Sequence, residues 1–212
     1  MGSSEVIHSA FRSAIIQDID GMQAAGLATM AYYYFDFRDV KKQDSYGLVS
    51  SLISQLSARS DSFFNVLSQL YSENDCGMQK PDVDELKKCM TDMLSLPGQA
   101  PIYIVVDGLD ECPNSSGTPS AREEALDLIE ELVDLNLPNV HLCVASRPEI
   151  DIRIVLGPLT SLQISLHDES GQKEDIIAYI KSVVHSDRGM RRWREEDQNL
   201  VINTLIQNAD GM

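Results

Sequence analysis

The sequence holds little that would suit an exported, membrane-bound or nucleic-acid-binding protein. No stretch approaches the roughly eighteen consecutive apolar residues that a membrane helix needs. No apolar core of signal-peptide length follows a basic start at the N-terminus. The cysteines Cys76, Cys89, Cys112 and Cys143 are widely spaced, with neither a Cys-x-x-Cys pair nor neighbouring histidines. That spacing excludes a zinc framework and a secreted disulfide scaffold, and it points to reduced thiols in the cytoplasm. Basic residues are scarce: 17 Lys and Arg face 33 Asp and Glu, for a formal net charge of −16. Such a field repels nucleic acid and anionic membrane surfaces, so neither is an expected partner. The arginine-rich stretch Arg188 to Arg194 is short, runs at once into Glu195, Glu196 and Asp197, and reads as a solvated loop between helices. His8, His141, His167 and His185 stand far apart without ligand spacing, and no Gly-x-Ser-x-Gly elbow marks a hydrolase nucleophile.

What is present describes a globular α/β chain. Its 212 residues are 43% apolar and 24% charged, enough for one sizeable core and a small appendage. Phe11, Ala14, Ile15 and Ile19 recur at helical spacing, with Gly21 and Gly26 near the end of that helix. Aromatic density over Met30 to Phe37 predicts a strand whose tyrosines pack into the core. Helices are expected over Gly47 to Ala58, around Phe63 to Tyr71, and from Asp82, where Glu85 completes a capping box. Ala125, Leu128, Ile129, Leu132 and Val133 mark another helix. Val140 to Ala145 reads as a buried strand, with His141 packed or at an edge, and Leu162 to Leu166 as a weaker one. Strands alternating with helices imply a parallel sheet joined by crossovers, assigned to residues 1–167. Ile176 to Val184 and Leu200 to Leu205 then form helices, so residues 168–212 read as the start of a helical subdomain, cut short, with Trp193 as a packing anchor.

The most informative stretch is Pro101 to Cys112, Pro-Ile-Tyr-Ile-Val-Val-Asp-Gly-Leu-Asp-Glu-Cys. Its apolar run lacks alternation, as suits a strand covered on both faces. Asp107, Asp110 and Glu111 follow at its carboxyl end, the edge where open α/β sheets bind ligands. Carboxylates there are costly to desolvate unless a cation, donors or water meets them. The economical assignment is a hydrated Mg2+ beside a nucleotide phosphate, with Asp107 holding the metal shell and Glu111 or Asp110 orienting a water. Arg147 directly follows the strand ending Cys143-Val144-Ala145-Ser146. A parallel neighbour of the acidic strand would bring its guanidinium, a planar fork suited to phosphate oxygens, to the same edge.

Together these segments resemble the NACHT domain of STAND signal-transduction NTPases, and within it the nephrocystin-3-like N-terminal branch abundant in filamentous fungi. The matching pieces are Ala31 to Asp39, Leu48 to Leu56, the Walker B-like Val105 to Cys112, the sensor-like Ala145 to Glu149 and the terminal Ala209-Asp-Gly-Met212. The resemblance implies a P-loop NTPase-like fold, Mg2+ with ATP or GTP, and a nucleotide state that governs association with other domains or further copies. It also implies a Gly-rich loop ending in Gly-Lys-Ser or Gly-Lys-Thr, and here no Lys follows a Gly. Counting back from the helix that resembles the one after that loop, His8 and Ser9 stand where its Lys and Ser would, which makes Ser9 the nucleotide-binding candidate there. No hydrophobic strand precedes them, so the sheet is expected to lack its first strand. Two functions stay open, a nucleotide-dependent switch and a non-catalytic interaction scaffold. A metal-dependent phosphohydrolase is poorly supported, because two-metal sites draw acids from several strands and only one acidic cluster is found.

Overall fold

A computed structural model describes residues 19–114, 119–164, 170–187 and 189–209. They separate into one compact unit ending at Thr160 and another beginning at Ser161. The first is an α/β unit with a parallel sheet flanked by helices. The second is helical.

The sheet runs β1 (Thr29–Tyr34), β2 (Ile102–Asp107), β3 (Val140–Val144) in spatial as in sequence order, all parallel. β2 is central, which explains its unbroken apolar run: Ile102, Ile104, Val105 and Val106 are all buried. The pleat sends Ile102, Ile104 and Val106 into the main core with Ala31, Tyr33 and Phe35. Val105 and Tyr103 look the other way, towards Met30, Cys143 and Ile19 at the start of the described part of α1 (residues 19–24). Gly26 follows α1 with φ +69, a left-handed conformation that costs glycine little.

The main core is completed by α2 (Ser45–Ser57), α3 (Asp61–Glu73), α4 (Val83–Leu94) and α5 (Ala121–Asp134), which contribute Leu48, Leu52, Phe63, Met90, Met93 and Leu128. Their starts are set locally. Asp44 and Ser60 cap α2 and α3, and full capping boxes open α4 (Asp82 with Glu85) and α5 (Ser120 with Glu123). On the outer side of β1, the Gln55 side chain both accepts from the Tyr32 N–H (3.1 Å) and donates to the Tyr32 carbonyl (2.7 Å). Gln23 accepts from the Met30 N–H, so side-chain amides occupy ladder groups that would invite a further strand.

Several expectations need correction. The aromatic strand stops at Tyr34 instead of reaching Phe37: Phe35 keeps a ladder bond to the Asp107 carbonyl, but the Phe37 N–H turns to a carboxylate. Only Tyr33 of its tyrosines is fully buried, while Tyr32 and Tyr34 stack on each other at 6.4 Å, partly exposed. Residues 162–164 form no strand, and the rest of the strand expected there lies outside the described residues. An unexpected helix, α6 (Ile150–Leu159), follows β3. His141 is an edge histidine, exposed on β3 and stacked against Tyr103 at 4.9 Å.

In the second unit, α7 (Ser170–Ser186) and α8 (Glu195–Ala209) pack on each other and bury Val184 and Ile202. Trp193 between them is 48% exposed and does not anchor a core. Among the described residues no helix is long and apolar enough to cross a membrane.

Candidate functional site

β2 and β3 are the parallel neighbours that the two motifs require. Val106 pairs with Val144, and the Ala145 N–H continues the ladder to the Val106 carbonyl at 2.8 Å. Both strands therefore deliver their following residues to one edge of the sheet. After β2 the chain turns at Gly108, which sits at φ +68, ψ +32; a Cβ there would lie 3.2 Å from the Phe35 carbonyl oxygen. Both the left-handed backbone and the close approach call for glycine. Leu109–Glu111 then forms one 3-10 turn with Leu109 fully buried, which fixes the side chains of Asp110 and Glu111 at the rim.

The structure brings Asp110, Glu111 and Arg147 together. The Arg147 backbone N–H donates to Asp110 Oδ1 at 2.9 Å, and its Nε lies 3.5 Å from Oδ2. Glu111 Oε2 accepts from the Phe37 N–H at 3.3 Å. These residues share an open cleft of about 400 Å³ with Gln43, Asn114 and Glu149. Desolvation raises the Glu111 pKa, neighbouring Asp110 and Asp36 raise it further, and the Phe37 N–H and Arg147 only partly offset this. A carboxyl biased towards holding a proton, at the rim of a cleft, is equipped to exchange one with a bound water.

Asp107 is placed differently. It is buried at the end of β2, beside Tyr34 of β1 in the register, and it does not line the cleft. By strand alternation it belongs with Tyr103 and Val105 on the face opposite the main core. Cys143 reports its proximity: burial first, then the Asp107 charge, raises that thiol's pKa. Ser9 lies outside the described residues.

Sequence reasoning missed Arg122. It stands in the first turn of α5, where the helix dipole disfavours a cation, and it is almost completely buried. That misplaced charge was the available signal. Its guanidinium donates to the Asp110 carbonyl (2.6 Å), the Cys112 carbonyl (3.0 Å) and Asp151 Oδ2 (3.1 Å). Burial opposes the Asp151 charge, but hydrogen bonds from Arg122 and the Ile152 N–H outweigh it and hold the carboxyl below the ordinary range.

The donor set suits a hard, hydrated cation better than a soft one. Mg2+ takes oxygen ligands and commonly only one or two protein carboxylates, leaving its other positions to water and phosphate. A single carboxylate at the end of β2, that of Asp107, meets that requirement, with Asp110 and Glu111 left at the rim of the cleft. Among the described residues no three His, Cys, Asp or Glu side chains converge into an all-protein metal cage.

The family model described as "Nephrocystin 3, N-terminal" matches residues 8–147. The chain belongs to the nephrocystin 3 N-terminal family. No curated protein and no solved structure matches it at a significant level. The nephrocystin 3 N-terminal match takes in all three strands and the acidic turn and ends on Arg147, so it covers every cleft-lining residue except Glu149.

Proposed function

We propose that this chain is a NACHT-type nucleotide-binding module of the STAND class, working in the cytoplasm within a larger protein or through association with further copies. The observation that carries the reading is the delivery of Asp110, Glu111 and Arg147 to one cleft by two adjacent parallel strands. Asp107 is the candidate to hold a hydrated Mg2+, which when bound would neutralise phosphate charge on ATP or GTP. Glu111 or Asp110 orients a water and takes its proton, and the Arg147 fork is suited to phosphate oxygens. Ser9 is the remaining nucleotide-binding candidate, from its position in the sequence.

Affinity is expected to be weak. The sequence has no Gly-Lys pair, so the backbone cradle and ammonium that usually grip the phosphates have no counterpart in it. That same observation favours a second reading, a non-catalytic interaction scaffold derived from a NACHT domain. Titration of a fluorescent ATP or GTP analogue with Mg2+ separates the two. The nucleotide reading expects a signal weaker than micromolar that falls with Asp107→Ala, with Arg147→Ala and with EDTA. A response indifferent to all three would leave the scaffold.

A further inference from the structure

Arg147 occupies a short segment with two anchors. At its start, Ala145 is locked into the sheet edge: its N–H donates to the Val106 carbonyl and its own carbonyl accepts from the Leu109 N–H at 3.3 Å. At its end, α6 begins at Ile150, with Asp151 in the first turn. Between these points Arg147 is exposed except where it meets Asp110. A long, exposed side chain on a loop loses aim easily, so its direction depends on what holds Asp110 and what holds the start of α6.

One group holds both. The Arg122 guanidinium donates to the Asp110 carbonyl through Nη2, to the Cys112 carbonyl through Nε, and to the Asp151 carboxylate through Nη1. Its side chain is only 10% exposed. Arg122 itself is fixed by the capping box at the start of α5 and by its N–H donating to the Pro113 carbonyl at 3.1 Å. Asn114 adds a second hydrogen bond to Asp151 Oδ2 at 2.9 Å. A planar fork of fixed donors can define three acceptors at once, whereas an ammonium on a flexible stem cannot.

We propose that Arg122 is a positioning residue for Arg147: one buried guanidinium fixes both the acidic turn that holds Arg147 and the helix start that follows it. That Arg147 in turn meets a phosphate rests on the function proposed above; the coupling of the two arginines does not.

The test is NMR of the arginine Nε–H groups in the full chain, with the Arg147 resonance assigned by its loss in Arg147→Lys. In the wild type that resonance is expected to be shifted by the Asp110 carboxylate 3.5 Å away. Arg122→Lys keeps the charge and removes the fork, and is expected to return Arg147 to the position of a free side chain. A role in stability alone would lower the melting temperature and leave the Arg147 resonance where it was, and that result overturns the proposal. Should Arg122→Lys fail to fold, Asp151→Asn weakens one prong and is expected to move the resonance part of the way; an unmoved signal there overturns the proposal equally. Titrations of the wild type with Mg–ATP and with Mg–GTP separate the two claims. If Arg147 responds to Arg122→Lys and to neither millimolar Mg–ATP nor millimolar Mg–GTP, the positioning role stands and the nucleotide reading falls.

Discussion

Arg147 and Asp110 meet twice, once through a backbone N–H at 2.9 Å and once through a guanidinium Nε at 3.5 Å. The two contacts differ in kind. The first belongs to the loop's main chain and survives any side-chain change at residue 147. The second joins a carboxylate that is 10% exposed to an arginine that is 58% exposed, a geometry in which solvent screens most of the attraction. Arg147→Ala should therefore change the unfolding free energy by no more than about 1 kcal/mol. Urea denaturation checks this. The same substitution should weaken any Mg–nucleotide binding by tenfold or more, roughly the 1.5–3 kcal/mol of a charge-assisted hydrogen bond. Binding lost with stability kept identifies a functional arginine; the reverse pattern identifies a structural one.

Gly108 can be tested without any ligand. Alanine at φ +68 incurs the left-handed penalty of about 1–2 kcal/mol, and its Cβ would press on the Phe35 carbonyl at 3.2 Å. Gly108→Ala is expected to destabilise by at least that amount in chemical denaturation. A neutral result would mean that the turn after β2 can adopt another path.

How far the sequence alone could go follows from the range of the interactions involved. The capping box of Asp82 and Glu85 spans one helical turn, and it is present as expected. The buried run Ile102 to Val106 reads as a central strand because burial on both faces removes alternation. α6 went unread because Gly157 and Pro158 lie within it and its β-branched residues follow no clean helical period. The early end of β1 depends on Glu111, 74 residues away, which takes the Phe37 N–H. Arg122 was hidden for the same reason: its partners Asp110 and Asp151 stand 12 and 29 residues from it, and only the folded sheet edge brings them together.

The thiols provide a check on the core. Cys112 is fully buried, its Sγ donates to the Gln43 carbonyl at 3.3 Å, and burial pushes its pKa up to about 12. Burial likewise takes Cys89 to about 11. The thiolate is the nucleophile, so both should resist iodoacetamide under native conditions at neutral pH. Exposed Cys76 should be alkylated first. Mass spectrometry of timed samples reads the order directly, and early labelling of Cys112 would show that the turn beneath the cleft opens readily.

Glu111 makes a prediction whose sign depends on pH. Its pKa is raised, chiefly by desolvation, so the folded state favours the protonated carboxyl. A raised pKa contributes stability that is fully present below the unfolded-state value and is lost as pH climbs through the folded-state value. Above the folded-state value the carboxylate is ionised in both states, and the fold then carries the cost of keeping that charge partly desolvated beside Asp110 and Asp36. Glu111→Gln removes the charge and retains a carbonyl oxygen able to accept from the Phe37 N–H. The variant should therefore be the more stable protein at neutral pH, with its advantage shrinking as the solution is acidified through the carboxylate range. Thermal melts of both proteins across that range test the sign. A wild type that is more stable than Glu111→Gln at neutral pH would show that the Phe37 and Arg147 contacts outweigh desolvation, and that Glu111 is a structural acceptor instead of an acid kept available for chemistry.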